Sequence, residues 1–258
     1  MQSKANDSIQ LDRQRVGSMT SNTTRLDRYI SQNSAFSKSD VRLLIARQRI
    51  LVEGRPAESI RQVVGKFSRV ELDGVCLQQN RPVYLALNKP RGVVSATTDR
   101  RHTTVLDLID HPEKHDLHIA GRLDFNTTGL VLLSNDGAWS RRLSLPESKL
   151  AKTYEVTVAA ALNADYVAAF QRGIYFAYED IITQPAQLEI VSPHEARLTL
   201  VEGKYHQVKR MFGRFQNEVL SLHRVSVGPI ALGDLEPGQC RELSEAEIGE
   251  TGGLVARV

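Results

Sequence analysis

The sequence predicts an α+β fold in two unequal domains, on three observations. Its 258 residues can bury a sizeable core and suffice for one or two domains. Strand-length apolar runs dominate from residue 83 onward with helical periods between them, which implies a mostly antiparallel, mixed sheet flanked by helices. A polar stretch, Gln78-Gln-Asn-Arg-Pro82, separates those runs from a shorter set of helices and strands before it.

Taken in order, residues 1–24 are rich in Ser, Asn, Gln and Thr and carry no hydrophobic period. Burial cannot offset the entropy of ordering them, so a flexible tail is expected. Residues 25–77 read as a small domain. Leu26, Tyr29 and Ile30 recur at helical spacing, and Ser37-Lys-Ser-Asp offers an N-cap to a second helix with Val41, Leu44 and Ile45 inward. The outer face of that helix presents Lys38, Arg42, Arg47 and, just beyond, Arg49, opposed only by Asp40. Ile50-Leu-Val-Glu-Gly-Arg-Pro reads as a short strand closed by a turn, and Arg69-Val-Glu-Leu-Asp-Gly as another ending in an Asp-Gly turn. Between residues 25 and 80 there are ten basic and six acidic residues, an excess of four that is either a basic docking face or a solvated helix.

Residues 78–82 form the linker. The second domain, 83–258, opens with the strand Val83-Tyr-Leu-Ala-Leu and the turn Asn88-Lys-Pro-Arg-Gly. Further strands are expected at 129–133, 152–158, 186–191 and 196–201, and helices at 138–143, 164–173 and 205–215.

Composition excludes more than it selects. With 41% hydrophobic and 24% charged residues the chain is of ordinary globular type, and a net charge of +3 means that a nucleic-acid partner must be argued from patches. Cys76 and Cys240 form no C-x-x-C pair, so reduced thiols are expected rather than a zinc ribbon or a disulfide framework. The N-terminus lacks the apolar stretch of a secretory signal, and the longest apolar runs are of strand length, so a cytoplasmic protein with no membrane partner is expected.

Two stretches can carry chemistry. In Ala120-Gly-Arg-Leu-Asp-Phe-Asn-Thr-Thr-Gly-Leu-Val-Leu-Leu-Ser-Asn-Asp-Gly, a Gly-bounded polar loop sets Asp124 beside Arg122 ahead of an apolar strand, although a lone loop carboxylate is commonly a cap or turn former. In Leu198-Thr-Leu-Val-Glu-Gly-Lys-Tyr-His-Gln-Val-Lys-Arg-Met-Phe-Gly-Arg, a strand runs into a helix whose first turns carry Lys204, His206, Lys209, Arg210 and Arg214 with no acid among them. Such a cluster suits phosphate or a buried carboxylate, or is a solvated face. Arg141, Arg142, Lys149 and Lys152 form a third basic run. Pro112 interrupts the spacing of His111, His115 and His118, so no metal is expected. Neither a phosphate-cradling P-loop nor a dinucleotide fingerprint is present, and no cofactor is expected.

From Arg25 to about Ile248 the chain closely resembles the RsuA-type pseudouridine synthases. Four separated motifs carry the resemblance in order: Leu87-Asn-Lys-Pro-Arg-Gly, the Gly-Arg-Leu-Asp segment with Asp124, Lys152-Thr-Tyr-Glu-Val, and Glu202-Gly-Lys-Tyr-His-Gln-Val-Lys-Arg-Met-Phe. Residues 25–77, from Arg25-Leu-Asp-Arg-Tyr-Ile to Val52-Glu-Gly, resemble the small α-L RNA-binding module named after a small-subunit ribosomal protein. They depart from it at Gln48-Arg-Ile-Leu-Val, where that module commonly has Gly before the strand.

The resemblance implies roles. Asp124 is the essential carboxylate, acting on C6 of uracil or on a ribose proton, and Lys209 is its ion-pair partner. Tyr154 is catalytic with them, its ring stacking on the target base and its hydroxyl near the reacting atoms; Leu200 forms an apolar wall, and Arg122 helps fill the gap left by the flipped nucleotide. Lys204, His206, Gln207 and Arg210 are expected to hold substrate; Lys38, Arg42, Arg47, Arg49, Arg141 and Arg142 are expected to contact RNA. The reaction replaces a C–N glycosidic bond by a C–C bond with no redox change and no donor, consistent with the missing cofactor motifs. Within the family, Trp139-Ser-Arg-Arg and the His206-Gln-Val-Lys-Arg-Met run look most like the enzyme for uridine 516 of 16S rRNA, acting as a monomer on 16S rRNA or a partly assembled small subunit. The alternatives are a 23S rRNA synthase, a non-catalytic RNA-binding assembly factor, and a glycosidic hydrolase with Asp136 as second carboxylate, where an Asp-Gly turn is the plainer role.

Overall fold

The computed structural model describes residues 23–253, which divide into two compact units between Asn80 and Arg81. The tail expected over 1–24 lies outside the described residues except at its end. There Thr23–Arg25 forms strand β1, so the expected boundary is corrected. It is held by backbone pairing to β4, Val63–Gly65, rather than by buried side chains, and left no hydrophobic signal.

In the first unit, helix α1 (Leu26–Asn33) buries Leu26, Tyr29 and Ile30, and helix α2 (Val41–Ala46) buries Val41 and Leu44, with Ile45 partly buried. Ser37 and Asp40 do not cap α2 through an Asp40 side-chain bond. Instead Asp40 reaches back to accept from the Ser37 amide at 2.8 Å and hydroxyl at 2.6 Å. Strands β2 (Ile50–Val52) and β3 (Arg55–Pro56) make a hairpin, and β5 (Val70–Leu72) and β6 (Val75–Gln78) a second, turning at Asp73-Gly74 with φ of 53° and 76°. Positive φ at both central residues is what a tight hairpin of this hand demands. Gln78 belongs to β6 and not to a linker, because its amide donates to the Gly65 and Ser68 carbonyls at 2.8 and 2.7 Å.

The second unit is an α+β layer structure on a mixed sheet. Its strands are β7 (Tyr84–Lys89), β8 (His118–Ala120), β9 (Thr128–Ser134), β10 (Lys152–Val158), β13 (Gln187–Ser192), β14 (Glu195–Leu200), β15 (Val219–Val227), β16 (Ile230–Ala231) and β17 (Cys240–Glu242), with a separate hairpin of β11 (Tyr175–Phe176) and β12 (Ile181–Ile182). The order across the main sheet is β13-β14-β10-β15-β9-β7-β17, with β16 on β15 and β8 on β9. Every pairing is antiparallel except β15 with β9, which run parallel through His223↔Thr128 and Arg224↔Gly129.

Both faces of the central strands are covered, which accounts for their unbroken apolar runs. On one face Leu85, Leu87, Val131, Leu133, Val156 and Leu198 pack against helix α4 (Ala164–Arg172) and helix α5 (Gln207–Gly213) through Phe170, Val208 and Phe212. On the other, Tyr84, Ala86, Leu130 and Leu132 pack against Trp139 and Leu143 of helix α3 (Gly137–Ser144). Helix α6 (Glu245–Glu250) closes the described chain with a capping box from Ser244 and Glu247. Among the described residues, no helix is long and apolar enough to cross a membrane.

Three local expectations change. Asn88 and Lys89 continue β7 and are not part of a turn; the chain turns after them. Asp136 makes no hairpin turn. It is the N-cap of α3, accepting from the Ala138 and Trp139 amides at 3.0 and 3.2 Å and from the Tyr84 hydroxyl at 2.9 Å. Helix α5 begins at Gln207 rather than Tyr205, because His206 takes the left-handed conformation at φ 50° and breaks the run.

Candidate active site

The loop between β8 and β9 carries Asp124. It leaves β8 at Gly121, with φ 88°, and closes where the Thr127 amide donates to the Asp124 carbonyl at 3.1 Å. The Asp124 side chain is one-third exposed, and a histidine and a lysine from one other segment face it. His206 Nε2 lies 3.4 Å and Lys209 Nζ 4.0 Å from its Oδ2. The left-handed kink at His206 followed at once by α5 is what brings these two side chains to the same carboxylate.

A second lysine lies near Asp124. Lys89, at the end of β7, is fully buried, and its ammonium donates to the Pro90 and Phe125 carbonyls at 3.0 and 3.3 Å. Burial pulls its pKa down to about 8, with the nearby Asp124 charge opposing part of the fall. Lys89 lies in the Leu87-Asn-Lys-Pro-Arg-Gly motif, but nothing in the spacing of that motif shows that its ammonium reaches the Phe125 carbonyl of the Asp124 loop.

Asp124 opens onto a cleft of about 290 Å³, the lower end of the ~300–1,000 Å³ range of small-ligand sites. Tyr154 of β10 and Leu200 of β14, both buried, line it together with Leu123, Lys152, Val208 and Arg224. Sheet register sets this arrangement. Tyr154 pairs with Leu198 on one side and Arg224 on the other, and Lys152 pairs with Leu200. Burial and the Arg224 charge lower the Lys152 pKa.

Arg224 is the second residue that sequence reasoning missed. Buried in β15, it donates from Nε to the Leu130 carbonyl at 2.7 Å and from Nη2 to the Gly121 carbonyl at 3.1 Å. The guanidinium thereby bolts the Asp124 loop to the sheet. A single Arg within the largely apolar Val219–Val227 run was the available signal.

The other expected residues divide. Arg122 is exposed at the cleft, and Lys204 lines it with Nζ 3.5 Å from Glu202. Gln207 is buried and acts within the loop: its Oε1 accepts from the Lys204 amide at 2.9 Å and its Nε2 donates to Glu202 at 2.6 Å. Arg210 is not the unopposed cation expected. Its guanidinium is gripped at both ends by Glu179, one contact at 2.7 Å, and lies 3.7 Å from the centre of the Phe176 ring. Glu179 stands in the β11–β12 turn, too distant in sequence to be anticipated. Arg141 and Arg142 are exposed on α3, and Arg142 also donates to the Gly252 carbonyl. In the first unit Lys38, Arg42 and Arg47 are exposed, whereas Arg49 is engaged by both Asp73 carboxylate oxygens at 2.6 Å, with its guanidinium 5.2 Å from the Phe36 ring centre.

A family model described as RNA pseudouridylate synthase matches residues 83–213. The chain is 51% identical over 226 residues to the ribosomal small subunit pseudouridine synthase A of Pseudomonas aeruginosa, covering 87% of this chain and 98% of that one. The chain belongs to the RNA pseudouridine synthase family. The Escherichia coli (strain K12) protein of the same name is 43% identical over 229 residues, covering 87% and 98%. Among solved structures, a crystal structure of a pseudouridylate synthase aligns with a TM-score of 0.64 at 37% identity, over 88% of this chain and 99% of that one. Asp124, Tyr154, Leu200, His206 and Lys209 of this RNA pseudouridine synthase all fall inside the family-matched segment, while Arg224 lies beyond it.

Proposed function

We propose that this synthase converts uridine 516 of 16S rRNA to pseudouridine, with Asp124 as the catalytic carboxylate. The relatives named as small-subunit pseudouridine synthases, matched over nearly their whole length, support the target. The observation that carries the catalytic assignment is Asp124 Oδ2 lying between His206 and Lys209 at the mouth of a cleft lined by Tyr154 and Leu200.

The chemistry follows from that placement. A uridine in its stack hides the glycosidic bond, so the nucleotide must leave the helix, at a cost of a few kcal/mol. Stacking on the Tyr154 ring and contact with Leu200 offset part of that cost, and Arg122 at the rim takes the place vacated. Lys209 and the buried Lys89 set positive charge near Asp124 as the base displaces water around it. The carboxylate then acts on C6 of the uracil or on the ribose. The N1–C1′ bond breaks, the uracil turns, and C1′ bonds to C5, whose proton leaves as N1 gains one. The first unit, with Lys38, Arg42 and Arg47 exposed, serves as the α-L RNA-binding module, and Arg141 and Arg142 extend the phosphate contacts. The synthase acts as a monomer.

Mapping pseudouridines in rRNA from cells lacking the gene tests the proposal. Loss at position 516 alone is expected. Loss at a 23S position instead would move the target to the large subunit, and an unchanged map would refute the assignment.

A further inference from the structure

The loop leading into α5 ends in an aromatic step with one open face. Tyr205 is 76% exposed, yet its ring is fixed: it stacks on the His206 imidazole with centroids 3.9 Å apart and planes 22° apart. His206 in turn reaches the Asp124 carboxylate at 3.4 Å. The backbone underneath is held from two sides. Gln207 ties the loop to Glu202 and the Lys204 amide, and Arg210, itself locked by Glu179 and Phe176, donates to the Tyr205 carbonyl at 3.4 Å.

A lone exposed aromatic ring is ordinary and needs no explanation. This ring differs in two respects. Its conformation is set before any ligand arrives, so little ordering entropy is spent on binding. It also stacks on His206, which lines the cleft and reaches the Asp124 carboxylate.

We propose that Tyr205, backed by His206, is a stacking platform for the unpaired nucleotide adjacent to the uridine that enters the cleft. The inference rests on the reading of the cleft as a uridine site in RNA. When a nucleotide flips out, its neighbour loses a stacking partner. The open face of Tyr205 replaces that partner, and it accepts any base because every base has a π face. Lys204, one residue earlier on the same loop, supplies positive charge for the adjoining phosphate.

Two stem-loop RNAs bearing uridine 516 in its 16S context, with 2-aminopurine replacing the nucleotide on its 5′ or its 3′ side, test the platform by fluorescence quenching. The wild-type protein and Tyr205→Phe are expected to quench one of the two. Tyr205→Leu is expected to lose that quench and to raise KM roughly tenfold, with kcat within about twofold. Quenching of neither RNA by the wild type, or unchanged quench and KM in Tyr205→Leu, would overturn the platform. So would a fall in kcat at constant KM, which would place Tyr205 among the reacting atoms. Pseudouridine formation by the wild type on unlabelled RNA is scored separately. Absence of product fails the reading of the cleft itself, whereas product with unaltered Tyr205→Leu behaviour removes the platform alone.

Discussion

A β-carbon on Gly129 would stand 2.3 Å from the carbonyl oxygen of Arg224 and 2.6 Å from its amide nitrogen. These residues are register partners in the parallel pairing of β9 with β15, and Gly129 has φ 101°. Close approach and left-handed backbone both require glycine here. Gly129→Ala is expected to lose about 2–4 kcal/mol of stability, from overpacking plus backbone strain. Urea unfolding checks this; a loss indistinguishable from zero would mean that the two strands can part without cost.

Asp124→Ala should abolish pseudouridine formation while leaving RNA affinity within a few-fold, since the role proposed for the carboxylate is in the reaction and not in holding phosphates. Lys209→Met, which leaves the carboxylate in place but removes a cation 4.0 Å away, should lower kcat with a smaller effect on binding. Product counted by mass spectrometry beside a filter-binding titration separates the two. Residual turnover in Asp124→Ala would end its assignment as catalyst.

The buried ammonium of Lys89 gives a pH signature. Its pKa falls to about 8 in the folded protein, against an ordinary ~10.4 in the unfolded chain. Between those values the unfolded chain holds the proton that the folded protein has released, so stability rises with pH across that window, by at most roughly 3 kcal/mol. Activity moves the opposite way, falling above about pH 8 as Asp124 loses cationic support. Lys89→Met should erase the stability rise. Parallel stability curves for wild type and variant between pH 7 and 10 would contradict the assignment.

At the end of the described chain, Glu247 accepts two hydrogen bonds from Arg241, at 2.7 and 2.9 Å, and one from the Ser244 amide at 2.8 Å. Foremost the Arg241 bonds hold its pKa down at about 2. A depressed carboxylate pKa contributes stability that is complete above the unfolded value near 4.3 and disappears as pH falls toward 2. Glu247→Gln is therefore expected to cost about 1–3 kcal/mol at neutral pH and progressively less below pH 4. Melting temperatures of the two proteins that stay equally far apart at pH 3 would refute it.

What could be read from sequence was whatever local periodicity or a contiguous motif encodes. Lys152–Val158 alternates cleanly and is β10 to the residue. Asp124, Tyr154 and Lys209 each sit in a contiguous motif, Leu200 stands two residues ahead of one, and all four line one cleft. Asp136-Gly137 misled because Asp and Gly serve turns and helix N-caps alike, and only the amides of Ala138 and Trp139 decide between them. Pairings across long stretches of chain were not legible. Glu179 neutralising Arg210, and Arg224 holding the Gly121 carbonyl 103 residues away, exist only once the sheet has closed.

That closure has a consequence for when the protein can first work. Thr128 and His223, 95 residues apart, are brought together by the short parallel pairing. Contacts so distant along the chain form late in folding. During synthesis, the segment carrying Asp124, Tyr154 and Lys209 leaves the ribosome before Arg224 can anchor the loop beside it. A nascent chain at that stage lacks the guanidinium that holds the Gly121 end of the Asp124 loop. The Asp124 loop thus gains its anchor only after the chain has been made through Arg224.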